Sequence, residues 1–133
     1  MNFHADGSRP LYDQIFVFGS NLAAIHGAGA AQAARLYYGA RSDVPDGPAG
    51  KSYAIPTKGL KFECLTLEQI KISVDKFVEY TKRHPELQFF VTRVGCGLAG
   101  NYDSDIAPMF KECGDNCSFA EQWKEYYDTI GKT

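Results

Sequence analysis

The sequence of 133 residues lacks several features that mark specialised classes of protein. It has no apolar run near the roughly 20 residues that a membrane-spanning helix needs. Residues 1–8 contain neither a basic segment nor an apolar one, so no secretion signal is predicted. The formal net charge is only −2, which argues against general nucleic-acid binding. We therefore expect a cytoplasmic protein with neither a membrane partner nor a general nucleic-acid partner.

Cysteine and histidine are too few and too scattered to predict a metal site. The four cysteines include one close pair, Cys113 and Cys117, and the chain has three histidines. Zinc sites usually contain two tight pairs of ligands. Without a secretion signal, the cysteines are expected to be reduced thiols. The sequence predicts no metal and no resident cofactor.

The overall composition is that of an ordinary folded domain. Hydrophobic residues make up 44% of the chain and charged residues 23%, both close to the average for globular proteins. The length also fits one domain. We predict a single domain over residues 1–133, in which the polar segment 1–14 forms an irregular arm.

Short apolar runs alternate along the chain with segments of helical spacing. This alternation predicts an α/β fold with a mostly parallel sheet and helices on both faces. Thr66 and Gln69 form a capping box that marks the start of the second helix. The predicted strands are 15–19, 52–55, 89–94 and 116–119, and the predicted helices are 27–39, 67–83, 106–113 and 121–130.

Two glycine-rich segments follow the ends of predicted strands, where ligands bind in sheets of this type. The first, Gly27 to Ala31, opens a helix, and the second runs from Gly95 to Gly100. Glycine lets backbone N–H groups approach an anion, and a helix N-terminus adds a positive dipole end. The pair of loops predicts a diphosphate ligand, and the alternative is that the glycines only mark tight turns. Neither loop has the Lys-Ser/Thr of a P-loop, and Gln32 breaks a dinucleotide-binding fingerprint.

With these motifs the sequence resembles the macro domain family. The likeness is to the branch of terminal-ADP-ribose-glutamate hydrolases and antitoxin DNA-ADP-ribosyl glycohydrolases. Its Gly-x-Gly-x-Ala loop is matched by Gly27-Ala28-Gly29-Ala30-Ala31, and its strand ending in Thr-Lys by Pro56-Thr57-Lys58. Its phosphate loop is matched by Val94-Gly95-Cys96-Gly97-Leu98. The three motifs occur in family order over roughly residues 15–110.

The resemblance implies a three-layer α/β/α fold that binds ADP-ribose or a related NAD-derived nucleotide. Lys58 would attack the anomeric carbon or assist its opening, and Asn21 would orient the distal ribose. These two are the expected catalytic residues. The branch also occurs on phages, so a phage protein is expected by resemblance. The other residues expected to contact the ligand are Gly19, Ser20, His26, Gly27, Ala28, Gly29, Ala30, Thr57, Gly95, Cys96, Gly97, Leu98, Ala99, Gly100, Asn101 and Tyr102.

The chain departs from the family at two places. Ala99 stands where hydrolases that pair lysine with a carboxylate have Asp, which leaves Asp103 or Asp105 as the candidate carboxylate. The Gly-Asp-Ile/Leu-Thr segment whose Asp contacts adenine is missing, so the fold is expected to be shortened at its N-terminus. Three hypotheses stay open: an ADP-ribosyl hydrolase, a reader or sponge without turnover, and a protein-interaction domain with a vestigial pocket.

Two further residues near these loops have a functional and a structural interpretation. His26 directly precedes the first glycine loop, where it would donate to a phosphate or act as an acid, or would be a structural histidine at a helix start. Cys96 would be a reactive thiol or a small packing residue. His4 and His84 lie in polar contexts that favour structural roles.

Overall fold

The apolar run at residues 15–19 forms the interior of a central strand. The structure is a computed structural model, and it describes residues 2–97 and 99–128. β2 (Gln14–Asn21) pairs in parallel with a strand on each side, β4 (Ser52–Lys58) and β5 (Gln88–Val91). Phe16 to Phe18 are all buried, because helices or loops cover both faces of a strand in this position.

Three shorter strands, β1 (Asn2–His4), β3 (Gly47–Ala49) and β6 (Cys117–Ala120), complete a six-stranded sheet. The order of its strands is β1-β6-β5-β2-β4-β3. β1 pairs in parallel with β6, and β6 pairs in parallel with β5. At the other edge, β3 pairs with β4 in the antiparallel direction. The predicted α/β fold with a mostly parallel sheet is confirmed.

Two of these strands differ from the prediction. Residues 2–4 belong to the segment expected to be an irregular arm, and they instead form an edge strand of the sheet. Residues 47–49 lie between the first predicted helix and the second predicted strand, where no strand was predicted. Each strand is three residues long, too short to carry an alternating pattern, and only its partner strand decides its conformation.

Helices cover both faces of the sheet. α1 (Gly29–Tyr37) lies on one face, where Ala34 packs with Phe16, Phe18 and Phe90. α2 (Leu67–Arg83) lies on the other, where Phe77 belongs to the larger apolar core. The bounds of α2 and its capping box confirm the prediction. In residues 2–97 and 99–128, no helix is long and apolar enough to cross a bilayer.

The C-terminal part of the chain adds short helices to the α2 face. α3 (Asp103–Ile106) is followed by a 3₁₀ helix (Ala107–Phe110), and a second 3₁₀ helix (Glu121–Trp123) precedes α4 (Lys124–Asp128). The helix predicted at 106–113 therefore starts earlier and ends as a 3₁₀ turn, since Pro108 supplies no backbone N–H. Residues 129 and 130 of the last predicted helix lie outside the described residues.

Candidate functional site

A cleft of about 970 Å³ opens between α1 and the sheet. It lies where β2, β4 and β5 end, and its lining includes Asn21, Lys58 and Thr92 from those strand ends. Phe16 and Phe90 belong to the face of the sheet that α1 covers, and they also line the cleft. Because α1 has only nine residues, it covers that face incompletely and leaves this space open.

The N-terminus of α1 presents unbonded backbone donors to the cleft. Gly29, Ala30 and Ala31 line it, and the first backbone bond of the helix runs from Gln32 N–H to the oxygen of Ala28. Within residues 2–97 and 99–128, the three preceding N–H groups have no protein acceptor. The helix also has no side-chain cap and no acidic residue in its first turn. This end of α1 is therefore open to an anion.

The second glycine loop lies on the same cleft. Gly95, Gly97 and Ala99 line it, and in the described part of the chain their N–H groups also lack protein acceptors. Gly95 has φ +74°, a left-handed conformation that glycine adopts without strain. Asn101 clamps the loop, because its backbone and side-chain nitrogens donate to the oxygen of Gly95 at 2.9 and 3.0 Å. Residues of both glycine loops therefore line one cleft.

Lys58 and Asn21 end adjacent parallel strands and are register partners. Both line the cleft, and Lys58 is half-buried. The Asn21 side chain has a structural role that the sequence did not indicate. Its amide accepts from the N–H of Ile25 at 3.0 Å and donates to the oxygen of the same residue at 2.8 Å. Asn21 thus closes the turn that leads from β2 toward the first glycine loop.

Asp103 and Asp105 were the candidates for a carboxylate beside Lys58, and neither of them lines the cleft. Asp103 accepts from Nε of Arg93 at 2.9 Å and from Nε1 of Trp123 at 2.7 Å, and it does not line the cleft. The hydrogen bonds from Arg93 lower the pKa of Asp103 to about 2. Asp105 is exposed and also lies outside the lining. In the structure Asp103 therefore holds the side chain of Arg93.

Arg93 links the cleft to the N-terminal segment. It lines the cleft, and its Nη1 donates to the carboxylate of Asp6 at 3.3 Å. Asp6 follows β1 and lines the cleft as well. It is the one carboxylate among the described lining residues. The segment after β1, which the sequence predicted to be part of an irregular arm, is thereby held as a wall of the cleft.

Several expected ligand contacts lie outside the lining. His26 is buried, with its Nε2 3.2 Å from the oxygen of Arg41 and its ring edge-on to Phe18. Cys96 does not line the cleft and packs against the larger apolar core, and burial raises the pKa of its thiol to about 12, which disfavours the reactive thiolate at neutral pH. Gly100 and Asn101 belong to the loop but not to the lining, Tyr102 is an exposed residue beyond it, and Leu98 lies outside the described residues. The expected site residues that do line the cleft are Gly19, Ser20, Asn21, Gly27, Ala28, Gly29, Ala30, Thr57, Lys58, Gly95, Gly97 and Ala99.

The sequence missed a group of lining residues that only the folded chain brings together. His4, expected to be structural, lines the cleft while its ring stacks on Phe90 at 3.7 Å and its Nδ1 lies 2.8 Å from Oγ of Ser118. Burial lowers the pKa of His4. The sequence did not predict the strand β1, and this strand places the residues from His4 onward beside the sheet. The missed lining residues are His4, Asp6, Gly7, Ser8, Arg9, Phe16, Ile25, Ala33, Tyr37, Tyr38, Phe62, Phe90, Thr92 and Arg93.

The comparisons with known proteins support the fold alone. No protein-family model matches the sequence, and no curated protein matches it. One solved structure similar to this chain is a protein of unknown function from Bacteroides thetaiotaomicron, with a TM-score of 0.59 and 15% identity. The alignment covers 84% of this chain and 89% of that one.

Proposed function

We propose that the cleft binds ADP-ribose or a closely related NAD-derived nucleotide, with the diphosphate held between the two glycine loops. The observation that carries this proposal is the set of unbonded N–H groups at Gly29–Ala31 and at Gly95, Gly97 and Ala99, all on one cleft. Backbone donors of this kind bind phosphate oxygens without a large excess of basic side chains. That agrees with a chain whose net charge is −2.

The side-chain charges of the cleft also favour an anionic ligand. Arg9, Lys58 and Arg93 line it, against the single described carboxylate of Asp6. Arg93 forms ion pairs with Asp6 and Asp103. Most of the positive charge that no carboxylate compensates therefore comes from Arg9 and Lys58. This excess of positive charge attracts an anion over distances longer than those of hydrogen bonds.

The floor of the cleft suits the nucleoside part of such a ligand. Phe16 and Phe90 line it but are almost fully buried, and the partly exposed ring of His4, which lies flat against Phe90, is the surface open to a base. Planar bases gain binding energy from aromatic surfaces because they stack on them. The apolar floor and the N–H-rich loops together match a ligand with an aromatic base and a charged diphosphate.

We propose binding without turnover as the activity, so that the protein acts as a reader or sponge of an ADP-ribose-type signal. The carboxylates that could assist chemistry are held elsewhere, since Asp103 pairs with Arg93 and Asp6 pairs with the same arginine. In the described lining no carboxylate is left beside Lys58 to exchange protons. General acid–base assistance to hydrolysis would therefore be missing.

Hydrolysis is the second candidate, because Lys58 lines the cleft beside Asn21. In that reaction the neutral Nζ of Lys58 bonds to the anomeric carbon while the bond to the leaving group breaks. The leaving group takes the electron pair and the proton that Nζ loses when it becomes a secondary amine. Water then adds to the same carbon, which releases ADP-ribose and restores the lysine.

Calorimetry with ADP-ribose, AMP and ribose 5-phosphate tests the proposed binding. ADP-ribose is expected to bind with a micromolar Kd and at least about tenfold more tightly than AMP, because AMP lacks the second phosphate. Absence of binding at millimolar concentration would contradict the proposal and would favour a protein-interaction domain.

Incubation with ADP-ribosylated protein and ADP-ribosylated DNA then separates the two activities. The matched variants are Lys58→Ala and Lys61→Ala, since Lys61 is an exposed lysine of the next loop that does not line the cleft. A reader releases no ADP-ribose in any of the three proteins. Release by the wild type and Lys61→Ala, but not by Lys58→Ala, would establish hydrolysis instead.

A further inference from the structure

Two loops beside Lys58 hold a side chain in a strained backbone conformation. Ala24 has φ 54° and Phe62 has φ 63°, and they are the non-glycine residues with positive φ in residues 2–97 and 99–128. The left-handed region is disfavoured for residues with a Cβ, and bulky side chains are rare there. Such outliers persist where the surrounding structure imposes them, and they concentrate at ligand sites.

The first strained loop is the turn at residues 21–25. The side chain of Asn21 bonds both the N–H and the oxygen of Ile25, and the N–H of Ala24 donates to the oxygen of Asn21 at 2.9 Å. Ile25 is therefore held in place, although 57% of its surface is exposed. It lines the cleft.

The second strained loop, residues 58–64, is closed just as tightly. The N–H of Gly59 donates to the oxygen of Glu63 at 2.8 Å, and the N–H of Phe62 donates to the oxygen of Gly59 at 3.1 Å. A β-bridge between Lys58 and Cys64 closes the base of the loop. Phe62 is thus fixed with 47% of its surface exposed, and it also lines the cleft.

These two loops meet at Lys58, because the N–H of Leu22 donates to the Lys58 oxygen at 2.9 Å. We call Ile25, Lys58 and Phe62 the mouth of the cleft. Phe62 is exposed, so core packing does not account for its own strained backbone, whereas the strained residue of the first loop, Ala24, is buried and only its neighbour Ile25 is exposed. Exposed apolar groups on tightly closed loops at the edge of a polar cleft provide a contact surface for an apolar part of a ligand.

The charge at the mouth restricts what that part of the ligand can be. Lys58 supplies a positive charge, and the one described lining carboxylate, Asp6, is paired with Arg93 on another segment. A cationic group at the mouth would meet a like charge, and the described lining offers no carboxylate besides Asp6, which is already paired with Arg93. An uncharged group is therefore favoured over a cationic one.

We propose that the mouth accepts an uncharged, planar apolar group carried on the ribose next to Lys58, with Phe62 and Ile25 determining this specificity. This rests on the proposed function, since the two glycine loops must hold the diphosphate for the ribose to lie at Lys58. A dinucleotide whose second base is neutral, such as NADH, is then a better ligand than ADP-ribose, which has a hydroxyl there. NAD⁺ carries the oxidised form of that ring, a positively charged pyridinium, and is a poorer ligand than NADH.

Calorimetry with NADH, NAD⁺ and ADP-ribose tests the proposal on the wild type and three variants. Phe62→Gly removes the ring and relieves the strain at φ 63°, so it is expected to fold. Phe62→Tyr keeps the ring. Leu60→Ala is the matched control, because Leu60 is 69% exposed on the same loop and does not line the cleft.

The wild type is expected to bind NADH about tenfold more tightly than ADP-ribose or NAD⁺. Phe62→Gly should lose that preference and keep its affinity for ADP-ribose, whereas Phe62→Tyr and Leu60→Ala should retain the preference. The inference alone is overturned if ADP-ribose binds and NADH binds no better, if NAD⁺ binds as well as NADH, or if Phe62→Gly keeps the preference. If none of the three nucleotides binds, the proposed function fails together with it.

Discussion

A Cβ atom on Gly19 would lie 3.1 Å from the backbone nitrogen of Gly95. The end of β2 and the second glycine loop therefore touch backbone to backbone, and neither position has room for a side chain. On Gly95 itself a Cβ would lie 3.0 Å from Cγ2 of Thr57 and 3.1 Å from Nδ2 of Asn101. This contact sets the position of the loop that the proposed diphosphate meets.

Gly95→Ala should therefore destabilise the protein. The left-handed φ of +74° and the contacts with Thr57 and Asn101 together are expected to lower the free energy of unfolding by about 1–3 kcal/mol. Urea unfolding followed by circular dichroism measures the change. Gly97→Ala is the control, since its Cβ would meet open space and the expected loss is within about 1 kcal/mol. Equal losses in the two variants would contradict the close contact at Gly95.

Ala30→Pro should weaken binding of ADP-ribose without unfolding α1. Proline is tolerated in the first turn of a helix, because the N–H that it lacks has no acceptor within the helix. The substitution removes one of the donors assigned to the diphosphate, and loss of a charge-assisted hydrogen bond is expected to raise the Kd about tenfold.

The control for this substitution is Ala30→Val, which adds similar bulk and keeps the N–H. Its Kd should stay within about threefold of the wild-type value, and circular dichroism should show the same helix content in both variants. If valine weakens binding as much as proline does, the effect is steric and the backbone donor is not involved.

Asp103→Asn should destabilise the protein at neutral pH and lose its effect in acid. The wild-type carboxylate receives hydrogen bonds from Arg93 and Trp123, and its pKa is lowered to about 2. A lowered carboxyl pKa stabilises the fold fully above its ordinary value near 4, and the stabilisation disappears as the pH falls from about 4 to about 2. At pH 7 the variant is expected to lose about 1–3 kcal/mol of stability.

Urea unfolding at pH 7, 4 and 2.5 measures this loss, with the fluorescence of Trp123, the single tryptophan of the chain, as a local probe. The difference between wild type and variant should shrink steadily toward pH 2.5. Asp105→Asn is the control, because Asp105 is exposed, and its effect should stay within about 0.5 kcal/mol at every pH. A difference that does not change with pH would show that the ion pair with Arg93 does not stabilise the fold.

Cys96 should resist alkylation although it lies in the second glycine loop. Burial is the main cause that raises the pKa of its thiol to about 12, and the negative charge of Asp103 adds to the shift. The thiolate is the reactive form, so iodoacetamide at pH 8 should modify Cys96 at least about a hundredfold more slowly than the exposed Cys64.

Mass spectrometry of peptides over a time course measures both alkylation rates in the same sample. In urea the two cysteines should react at similar rates, which controls for sequence effects on the reagent. Comparable rates in the folded protein would restore the interpretation of Cys96 as a reactive thiol.

Much of the fold could be predicted because local signals and tertiary structure agree. α2 combines a capping box at Thr66 with apolar residues at helical spacing, and both act within one stretch of chain. The apolar run within β2 indicated a strand buried on both faces. The glycine loops were found at strand ends, and parallel strands bring their carboxyl ends to one edge of the sheet.

The parts that could not be predicted depend on contacts between distant segments. β1 has three residues and is a strand because β6, more than 110 positions along the chain, pairs with it. Arg93 reaches Asp6 and Asp103, and no sequence pattern connects those three positions. In the sequence Phe62 is an ordinary aromatic residue of a loop. Its positive φ and its position in the cleft are known only from the structure.

The sequence by itself determined the α/β class, the central strands, the main helix and the two glycine loops, because hydrophobic period, capping and glycine content act locally. Only the tertiary structure decided which charges face the cleft. It paired Asp103 with Arg93 instead of Lys58, brought Asp6 to the wall, and closed the turn at Ile25 with the amide of Asn21. The physical reason is that a charged or amide side chain takes the best partner within a few ångströms in space, and sequence distance does not set that partner.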